Sequence, residues 1–211
     1  MNIVIVENNV YAAEPYGIIF QKFGTITKPE TVFIDPETVD LIVFTGGEDV
    51  DPEIYEEKRH KKTFCNLSRD LDEQLYFNVA IDKQIPMFGI CRGAQFLCVM
   101  SGGKLVQHIT GHQQSHFIEN SEGETCYVTS SHHQMMLPPE DAKAFAWASP
   151  KLSDCYEGAN GSLSVEREYE GVYFPNTKSL GVQWHPEWMT SGADGFEYTM
   201  TLIAKLLYGF S

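Results

Sequence analysis

Basic residues are scarce in this chain. Lysine and arginine together number 15 against 29 aspartate and glutamate residues, which gives a formal charge of −14. A surface of that sign repels nucleic acid and anionic membranes, so we expect neither as a partner. The charge is typical of a protein that simply stays soluble, and it would tolerate a small cationic or zwitterionic ligand.

Long apolar runs and paired cysteines are also missing. No stretch approaches the roughly 20 apolar residues that a membrane-spanning helix needs. The apolar run at residues 3–6 has no basic flank and is too short for a secretory leader. Five cysteines are present, and no two of them have CxxC spacing. We therefore expect reduced thiols and a cytoplasmic location.

The sequence contains no internal repeat, low-complexity tract, clear linker or Walker-type phosphate loop. Its 211 residues suffice for one α/β domain, and we interpret 1–211 as a single domain. Since a phosphate loop is missing, we expect no built-in synthetase that uses ATP.

Strand and helix patterns alternate along the chain. Short apolar runs at residues 3–6, 41–44 and 86–90 predict buried strands. This alternation favours an α/β fold with a doubly wound, mostly parallel central sheet flanked by helices. A small strand-rich extension is predicted from runs at residues 126–129, 143–147, 163–169, 171–174 and 180–184.

Helical spacing of apolar residues appears in three other segments. We predict helices over residues 13–23, 71–81 and 196–208, with Ser68 as a candidate cap of the second. The polar stretch 48–62 is expected to form a surface loop. The side chains expected to face inward are Ile18, Ile19 and Phe23 in the first helix, and Leu71, Leu75 and Val79 in the second.

A cysteine stands between two glycines directly after the third predicted strand. The sequence there is GICRG at residues 89–93, and a helical stretch follows. A sharp turn from strand to helix needs small neighbours, and the start of the next helix favours thiolate over thiol. Cys91 is therefore a candidate nucleophile, although free cysteine is as often a core residue.

A histidine and a carboxylate follow the last predicted strand. Pro186 favours an extended backbone at His185, where residues two apart point the same way. Glu187 could then orient the imidazole of His185 as a general base. The flanking Trp184 and Trp188 leave open the alternative that His185 only packs against aromatic rings.

Two glycines end the second predicted strand, within residues 45–47. They expose backbone N–H groups, and one of these together with the N–H of Arg92 could stabilise an oxyanion. An ordinary glycine turn is the alternative. All three segments follow strands, and parallel sheets bind ligands outside the carboxyl ends of their strands. We therefore predict one shared site.

Three histidines spaced by four residues form a rival constellation. His108, His112 and His116 would align on one face of a helix, as in some metal sites. Gly111 and its β-favouring neighbours break such a helix, and closed zinc sites usually show tighter grouping. We therefore predict no metal ion and interpret these histidines as lining the substrate cleft or its rim.

Together these segments resemble the class I glutamine amidotransferases, and most closely the γ-glutamyl-γ-aminobutyrate hydrolase branch. The resemblance runs in the family's order from about residue 41 to 188. One departure is Thr129, where the branch usually has asparagine. Besides the motifs around Cys91 and His185, the matching pieces are GGEDVDP at 46–52, Arg69 and Asp70 with Glu73, GGKL at 102–105, Gln107 with His108, and SSHHQ at 130–134.

The resemblance implies a flavodoxin-like fold and cysteine-dependent hydrolysis of a γ-glutamyl amide, with no metal or organic cofactor. It implies that Cys91 is the nucleophile, His185 the base and Glu187 the carboxylate that orients the base. It further implies oxyanion N–H groups from Gly47 and Arg92, and binding of the glutamyl moiety by Gln95, Ser131, His132 and His133.

Two functions are compatible with this resemblance, and the oligomeric state stays open. The first is a stand-alone hydrolase of a small γ-glutamyl amine. The second is the glutaminase component of an amidotransferase that delivers ammonia to a separate synthetase partner. Arg92 and the histidine pair 132–133 favour the hydrolase. The compact region between Asp51 and Arg69 leaves the accepted amine undetermined, because in relatives this region shapes the leaving-amine pocket.

Overall fold

A nine-stranded mixed sheet forms the centre of the molecule. The computed structural model describes residues 1–6 and 13–209. The helices are α1 (Ala13–Phe20), α2 (Thr31–Ile34), α3 (Leu67–Lys83), α4 (Arg92–Met100) and α5 (Asp194–Tyr208). The strands are β1 (Asn2–Val6), β2 (Thr25–Thr27), β3 (Leu41–Phe44), β4 (Met87–Ile90), β5 (Lys104–Val106), β6 (His108–Ile109), β7 (His116–Asn120), β8 (Thr125–Val128), β9 (Met135–Leu137), β10 (Lys143–Ala148), β11 (Tyr156–Gly158), β12 (Gly161–Ser162), β13 (Tyr169–Phe174) and β14 (Ser179–Val182).

The central sheet has a parallel half and an antiparallel half. Its order is β2-β1-β3-β4-β14-β13-β10-β7-β8, and the first five strands run parallel. The remaining four strands are antiparallel to their neighbours. The predicted α/β fold with a mostly parallel core is therefore confirmed. Most of the strand-rich region continues this sheet, and two small sheets, β12-β11-β6 and β5-β9, stand beside it.

Both faces of the parallel half are buried. Alternate residues of β1 point to opposite faces. Ile3 and Ile5 belong to the core cluster that includes α1 and α5 residues, whereas Val4 and Val6 belong to the cluster that includes α3 and α4 residues. Helices therefore cover the sheet on both sides, and each buried side chain of this size stabilises the fold by about 1.5–3 kcal/mol.

The inward face of α3 differs from the prediction. Leu71 and Leu75 are 51% and 55% exposed, whereas Asp70 and Glu73 are buried. Both carboxylates turn inward because they pair with the buried guanidinium group of Arg92. The prediction was wrong because an apolar repeat contains no sign of an ion pair formed with a distant residue.

Three local predictions also differ from the structure. Ile18 on α1 is 64% exposed rather than inward. Asn66 caps α3 instead of Ser68, since its side-chain oxygen accepts a hydrogen bond from the N–H of Arg69 (3.4 Å). Residues 163–168 lie outside any strand. Such boundaries depend on turn chemistry that competes with local propensity.

The polar segment 48–62 is folded rather than loose. It contains a short 3-10 turn at Pro52–Tyr55 and buries Val50 and Asp51. The Asp51 carboxylate accepts hydrogen bonds from the N–H of Glu53 (3.0 Å) and from Arg59 (2.9 Å). Burial would raise the pKa of Asp51, but these hydrogen bonds outweigh it and hold the pKa below its ordinary value. The segment therefore forms a defined wall next to the carboxyl ends of the central strands.

The five cysteines, all within the described ranges, are free thiols, as expected from their spacing. Among the helices of residues 13–209, none combines the length and the apolar character that crossing a membrane requires.

Candidate active site

A cleft of about 450 Å³ opens at the carboxyl ends of neighbouring parallel strands. Strand β4 pairs with β3 on one side and with β14 on the other, so the segments that follow them meet at one edge. The shared site predicted from the three motifs is present in the geometry. The predicted residues that line the cleft are Gly47, Cys91, Arg92, Gln95, Ser131, His132, His133 and His185.

Cys91 occupies a sharp turn between β4 and α4. Its backbone has φ 52° and ψ −108°, a left-handed region that non-glycine residues rarely adopt and that costs about 1–3 kcal/mol. The N–H of Cys91 donates to the carbonyl of Val182 (2.7 Å), which ties the turn to β14. The sheet thus holds the thiol at the N-terminus of α4, as the sequence predicted.

Close packing of α4 onto the sheet fixes that turn. A Cβ atom at Gly93 would overlap the backbone carbonyl of Phe44 on β3. A Cβ atom at Gly181 on β14 would lie 2.8 Å from the Cβ of Ala94. The helix can approach both strands this closely only because glycine occupies these positions.

His185 and Glu187 form a hydrogen-bonded pair behind Cys91. The distance between His185 Nδ1 and Glu187 Oε1 is 2.6 Å. The contact is made through a 3-10 turn at Pro186–Trp188 and not through the extended segment predicted from sequence. The imidazole also stacks on Trp188, with ring centroids 3.8 Å apart. Pairing with a carboxylate and packing on an aromatic ring therefore occur together.

The charge state of His185 depends on its two neighbours. Burial alone would lower the pKa of its imidazole. The adjacent Cys91 sulfur and the Glu187 carboxylate outweigh that effect and raise the pKa to about 10. The arrangement therefore favours an imidazolium at neutral pH, which is the form that can give a proton to a leaving group.

Thr129 and Ser131 position His185 from a neighbouring segment. The carbonyl of Thr129 accepts a hydrogen bond from the N–H of His185 (2.9 Å), and the Thr129 hydroxyl donates to the His185 carbonyl (2.5 Å). Ser131 Oγ lies 3.2 Å from His185 Nε2. Thr129 is the residue that departs from the branch pattern, and the role of its hydroxyl could not be read from the motif.

Tyr16 is a site residue that the sequence did not indicate. Its hydroxyl accepts a hydrogen bond from the N–H of Gly46 (3.2 Å). Burial and the negative charge of Glu187 raise the pKa of this phenol, so it stays protonated. Tyr16 also lines the cleft with Cys91. A lone tyrosine on a short helix carries no sequence signal for such a role.

Arg69 supports the glycine turn that follows β3. One of its guanidinium nitrogens donates to the carbonyl oxygens of Thr45 (3.3 Å) and Gly46 (3.0 Å). Gly47 has φ 143°, and a Cβ atom there would collide with the same guanidinium group. Glycine is therefore favoured at position 47 by its backbone conformation, and a larger residue would also displace the Arg69 guanidinium group.

The side chain of Arg92 is committed to ion pairs away from the cleft. It contacts the carboxylates of Asp70 and Glu73 on α3, and all three groups are buried. Burial raises the pKa of Asp70, although the neighbouring arginine opposes this. Any direct role of Arg92 in the cleft therefore falls to its backbone N–H.

The carbonyl of Gln134 anchors one wall of the cleft. It lies within hydrogen-bonding distance of His132 Nδ1 (2.9 Å), Gln95 Nε2 (3.2 Å) and Gln183 Nε2 (3.3 Å). On the same wall, His133 pairs with the carboxylate of Asp49 (3.2 Å). Two predicted substrate-binding side chains, Gln95 and His132, are thus held by one backbone group.

We predicted that the three spaced histidines line the substrate cleft or its rim, and none of them is among the residues that line the cleft. Gly111, with φ 82°, turns the chain and separates His108 from the next two. His108 Nε2 lies 2.6 Å from the ammonium of Lys62. His112 and His116 are buried beside Glu170. The prediction was wrong because the turn at Gly111 places these two side chains in the interior.

Comparison with known proteins gives the family. The model of the Peptidase C26 family matches residues 25–151. Protein NtpR of Enterococcus hirae is 30% identical over 174 residues, which cover 77% of this chain and 72% of the relative. Gamma-glutamyl-gamma-aminobutyrate hydrolase PuuD of Escherichia coli K12 is 30% identical over 179 residues, which cover 76% of this chain and 66% of that enzyme.

A solved structure supports the fold. The glutaminase domain of the Trypanosoma brucei enzyme CTPS, with bound acivicin, superposes with a TM-score of 0.62 at 12% identity. The match covers 100% of this chain and 95% of that domain. The chain therefore belongs to the Peptidase C26 family and is a hydrolase of the glutamine amidotransferase type that acts on carbon–nitrogen bonds.

Proposed function

We propose that this protein hydrolyses a γ-glutamyl amide bond through a thioester on Cys91. The observation that carries the proposal is the close grouping of Cys91, His185 and Glu187 at the base of an open cleft. A strained cysteine at a helix N-terminus, a paired imidazole and a buried carboxylate are the components of cysteine-dependent acyl transfer.

The first half of the reaction forms the thioester. The Cys91 thiolate attacks the γ-carbonyl carbon, and the carbonyl electrons move to oxygen. We assign stabilisation of this oxyanion to the backbone N–H groups of Gly47 and Arg92, which line the cleft beside Cys91. One such donor is worth about 2.7–4 kcal/mol. The carbon–nitrogen bond then breaks as the imidazolium of His185 gives its proton to the departing amine.

The second half releases glutamate. His185, now neutral, accepts a proton from water, and the resulting hydroxide attacks the thioester carbon. The carbon–sulfur bond breaks and restores the thiolate, while His185 again carries the proton. Glu187 holds the Nδ1 side of the ring throughout, which keeps Nε2 directed toward the reacting atoms.

The walls of the cleft support a role in binding the glutamyl moiety. Gln95, Ser131, His132 and His133 offer amide, hydroxyl and imidazole groups next to Cys91. Such groups suit the α-amino and α-carboxylate ends of a glutamyl substrate. We therefore assign glutamyl binding to Gln95, Ser131 and His133, and a supporting role in the wall to His132, because its two ring nitrogens already face the Gln134 carbonyl and the Glu170 carboxylate.

The mouth of the cleft bears on the leaving amine. Phe64 and Trp188 are 73% and 55% exposed, and both line the opening with Glu48 and Asp49. The aromatic surfaces leave room for an amine larger than ammonia. The exposed carboxylate of Glu48 disfavours amines that carry a carboxylate of their own and favours neutral or cationic ones.

The same exposed aromatic mouth favours a second candidate. Apolar groups at an opening suit docking of a partner protein, as in a glutaminase that passes ammonia to a synthetase. The resemblance in fold and size to a glutaminase domain is compatible with that function.

Steady-state kinetics on the purified chain decides between the two functions. The substrates are glutamine and a panel of γ-glutamyl amines with anionic, neutral and cationic leaving groups, with Cys91→Ala as control. A stand-alone hydrolase should turn over at least one amine with a kcat/KM about 10-fold above that of glutamine, or ~1.4 kcal/mol in transition-state binding. Inertness toward the whole panel until a synthetase and its nucleotide are added would favour the ammonia donor.

A further inference from the structure

Three imidazoles converge on one carboxylate oxygen in the interior. The distances to Glu170 Oε1 are 2.9 Å from His112 Nδ1, 3.2 Å from His116 Nε2 and 3.2 Å from His132 Nε2. None of these four residues is more than 5% exposed. We call them, with Glu168, the buried histidine cluster. It lies behind the cleft wall, and His132 belongs to both.

Each imidazole already has a partner for its other nitrogen. His112 Nε2 faces the Glu168 carboxylate (3.0 Å), and His132 Nδ1 faces the carbonyl of Gln134 (2.9 Å). His116 Nδ1 likewise faces a backbone carbonyl (3.0 Å). A neutral imidazole has a single N–H, which these outer acceptors take. The inner nitrogens then present lone pairs to the negative oxygen of Glu170, which is repulsive unless a cation lies between them.

Two buried atoms of the cluster lack the hydrogen bonds that they need. His112 Nδ1 and Glu170 Oε2 have no hydrogen-bond partner among the described residues, although both are shielded from solvent. The approach of His112 Nδ1 to Glu170 Oε1 is close enough for an ion pair but is not aligned as a hydrogen bond. Buried polar atoms are nearly always satisfied, so the two orphans point to a missing ligand.

We propose that His112, His132 and Glu170 hold a divalent transition-metal ion, with zinc as the best match. Their donor atoms lie within 4.8 Å of one another. Imidazole nitrogen and carboxylate oxygen are both common zinc ligands. Zinc binds them in a tetrahedron with bonds of about 2.0–2.2 Å, so the ligand atoms must lie close to one another, as they do here. His116 Nε2, close to the same Glu170 oxygen, is the nearest candidate for the fourth position.

The outer partners match what metal-binding histidines require. A ligating imidazole usually donates its other N–H to a carboxylate or a backbone carbonyl, which fixes its orientation. Glu168 does this for His112, and three further donors hold Glu168 itself: Tyr156 and the backbone N–H groups of Leu152 and Ser153. One divalent ion also balances the charges of the Glu168 and Glu170 carboxylates.

The ion would have a structural role. It would join three segments that are separate in sequence: residues 112–116, residues 130–134 and strand β13. Through His132 and the Gln134 carbonyl it would brace the wall that also holds Gln95.

Protonated histidines are the competing explanation for the cluster. Burial disfavours charge on His112, but the carboxylates of Glu168 and Glu170 outweigh burial and raise the pKa of His112 to about 9.

Metal content of the purified chain tests the proposal directly. The protein is stripped with a chelator, reloaded with Zn²⁺ or Co²⁺, dialysed and analysed by elemental mass spectrometry. The Cys91→Ala background removes the cleft thiol as a rival ligand. We expect about one ion per chain, visible absorption bands of tetrahedral Co²⁺, and a melting temperature that falls after chelation. None of these readouts depends on catalysis, so they also stand if the proposed function fails.

Matched variants locate the ion. His112→Gln and Glu170→Gln should lose it, whereas His60→Gln should retain it. His108→Gln should also retain it, which matters because His108, Cys155 and Glu157 form another group with nearby donors. Loss in His108→Gln with retention in His112→Gln would overturn the proposal. So would folded wild-type protein that takes up neither Zn²⁺ nor Co²⁺. If the cluster variants fail to fold, the Co²⁺ spectrum of the Cys91→Ala, His108→Gln double variant decides instead: tetrahedral bands there support the buried histidine cluster, and their absence overturns the proposal.

Discussion

Two histidine–carboxylate groups lie on either side of the segment 129–134, and they differ in what the second ring nitrogen faces. In the cleft, His185 Nδ1 is held by Glu187, and the other side of the ring meets Ser131 and the Cys91 sulfur. In the buried histidine cluster, His112 has a carboxylate on each side. Identical residue types thus give the proposed catalytic pair where a thiol and open space are adjacent. They give a sealed cluster where only carboxylates are adjacent.

The largest expected effect comes from Cys91, the proposed nucleophile, since only the cleft group contains a cysteine. Cys91→Ser should lower kcat by roughly 10³-fold or more, because a serine hydroxyl is far less ionised than a thiol beside the same imidazole. Steady-state hydrolysis of the best γ-glutamyl substrate measures this, and Cys126→Ser serves as the matched control. A glutamine-like chloroketone should label Cys91 in the wild type. Labelling of another cysteine instead would contradict the assignment.

Stability against pH sharpens the comparison further. The pKa of His185 is raised from 6.5 to about 10 in the folded protein. The charged imidazole therefore stabilises the folded state fully below pH 6.5, and this stabilisation is lost as the pH rises through 10. Cys91 is the foremost cause that raises this pKa, so Cys91→Ala should flatten the loss. Thermal unfolding between pH 6 and 10.5 should show a steeper decline for the wild type, at about 2–4 °C per kcal/mol. If the melting temperatures of the wild type and Cys91→Ala declined in parallel with pH, Cys91 and His185 would not form an ion pair.

Local motifs predicted which segments meet at the cleft, because the proposed catalytic residues directly follow strands. The positions of Cys91, His185 and the glycine turn depend on strand ends and short turns, which a sequence displays. The buried histidine cluster could not be predicted, since Glu170 meets His112 only when β13 is placed in the sheet. The prediction for the inward face of α3 was wrong for the same reason, because its buried carboxylates pair with an arginine on another helix.

A smaller effect is expected at the contact that joins the cleft histidine to residue 129. Thr129→Val keeps the shape and removes the hydroxyl that donates to the His185 carbonyl. One such hydrogen bond is worth about 0.5–1.5 kcal/mol, so we expect a loss in kcat of about 2- to 12-fold. Thr129→Ser should restore activity, and the exposed Thr125→Val should change nothing. Equal activity of all three variants would show that the contact does not position His185.

The smallest expected effect is on selectivity at the mouth of the cleft. Glu48→Gln removes an exposed charge, and such charges contribute about 0.2–1 kcal/mol. The ratio of kcat/KM between anionic and cationic leaving amines should therefore rise by about 1.4- to 5-fold, and the increase should shrink in high salt. Glu37→Gln is the control, because Glu37 is exposed and is not among the residues that line the cleft. An unchanged ratio would remove Glu48 from amine selection.

The close packing of α4 on β3 and β14 limits how this sequence can diverge. A variant library with random residues at positions 93 and 181 should return almost only glycine, even when selected for folding alone, because any Cβ there pushes the helix off the sheet. The glycines in this pattern are therefore required by the close packing of the helix on the sheet and not by the chemistry of the site. A descendant that lost its chemistry would still carry these glycines, whereas the cysteine between strand and helix would be free to drift.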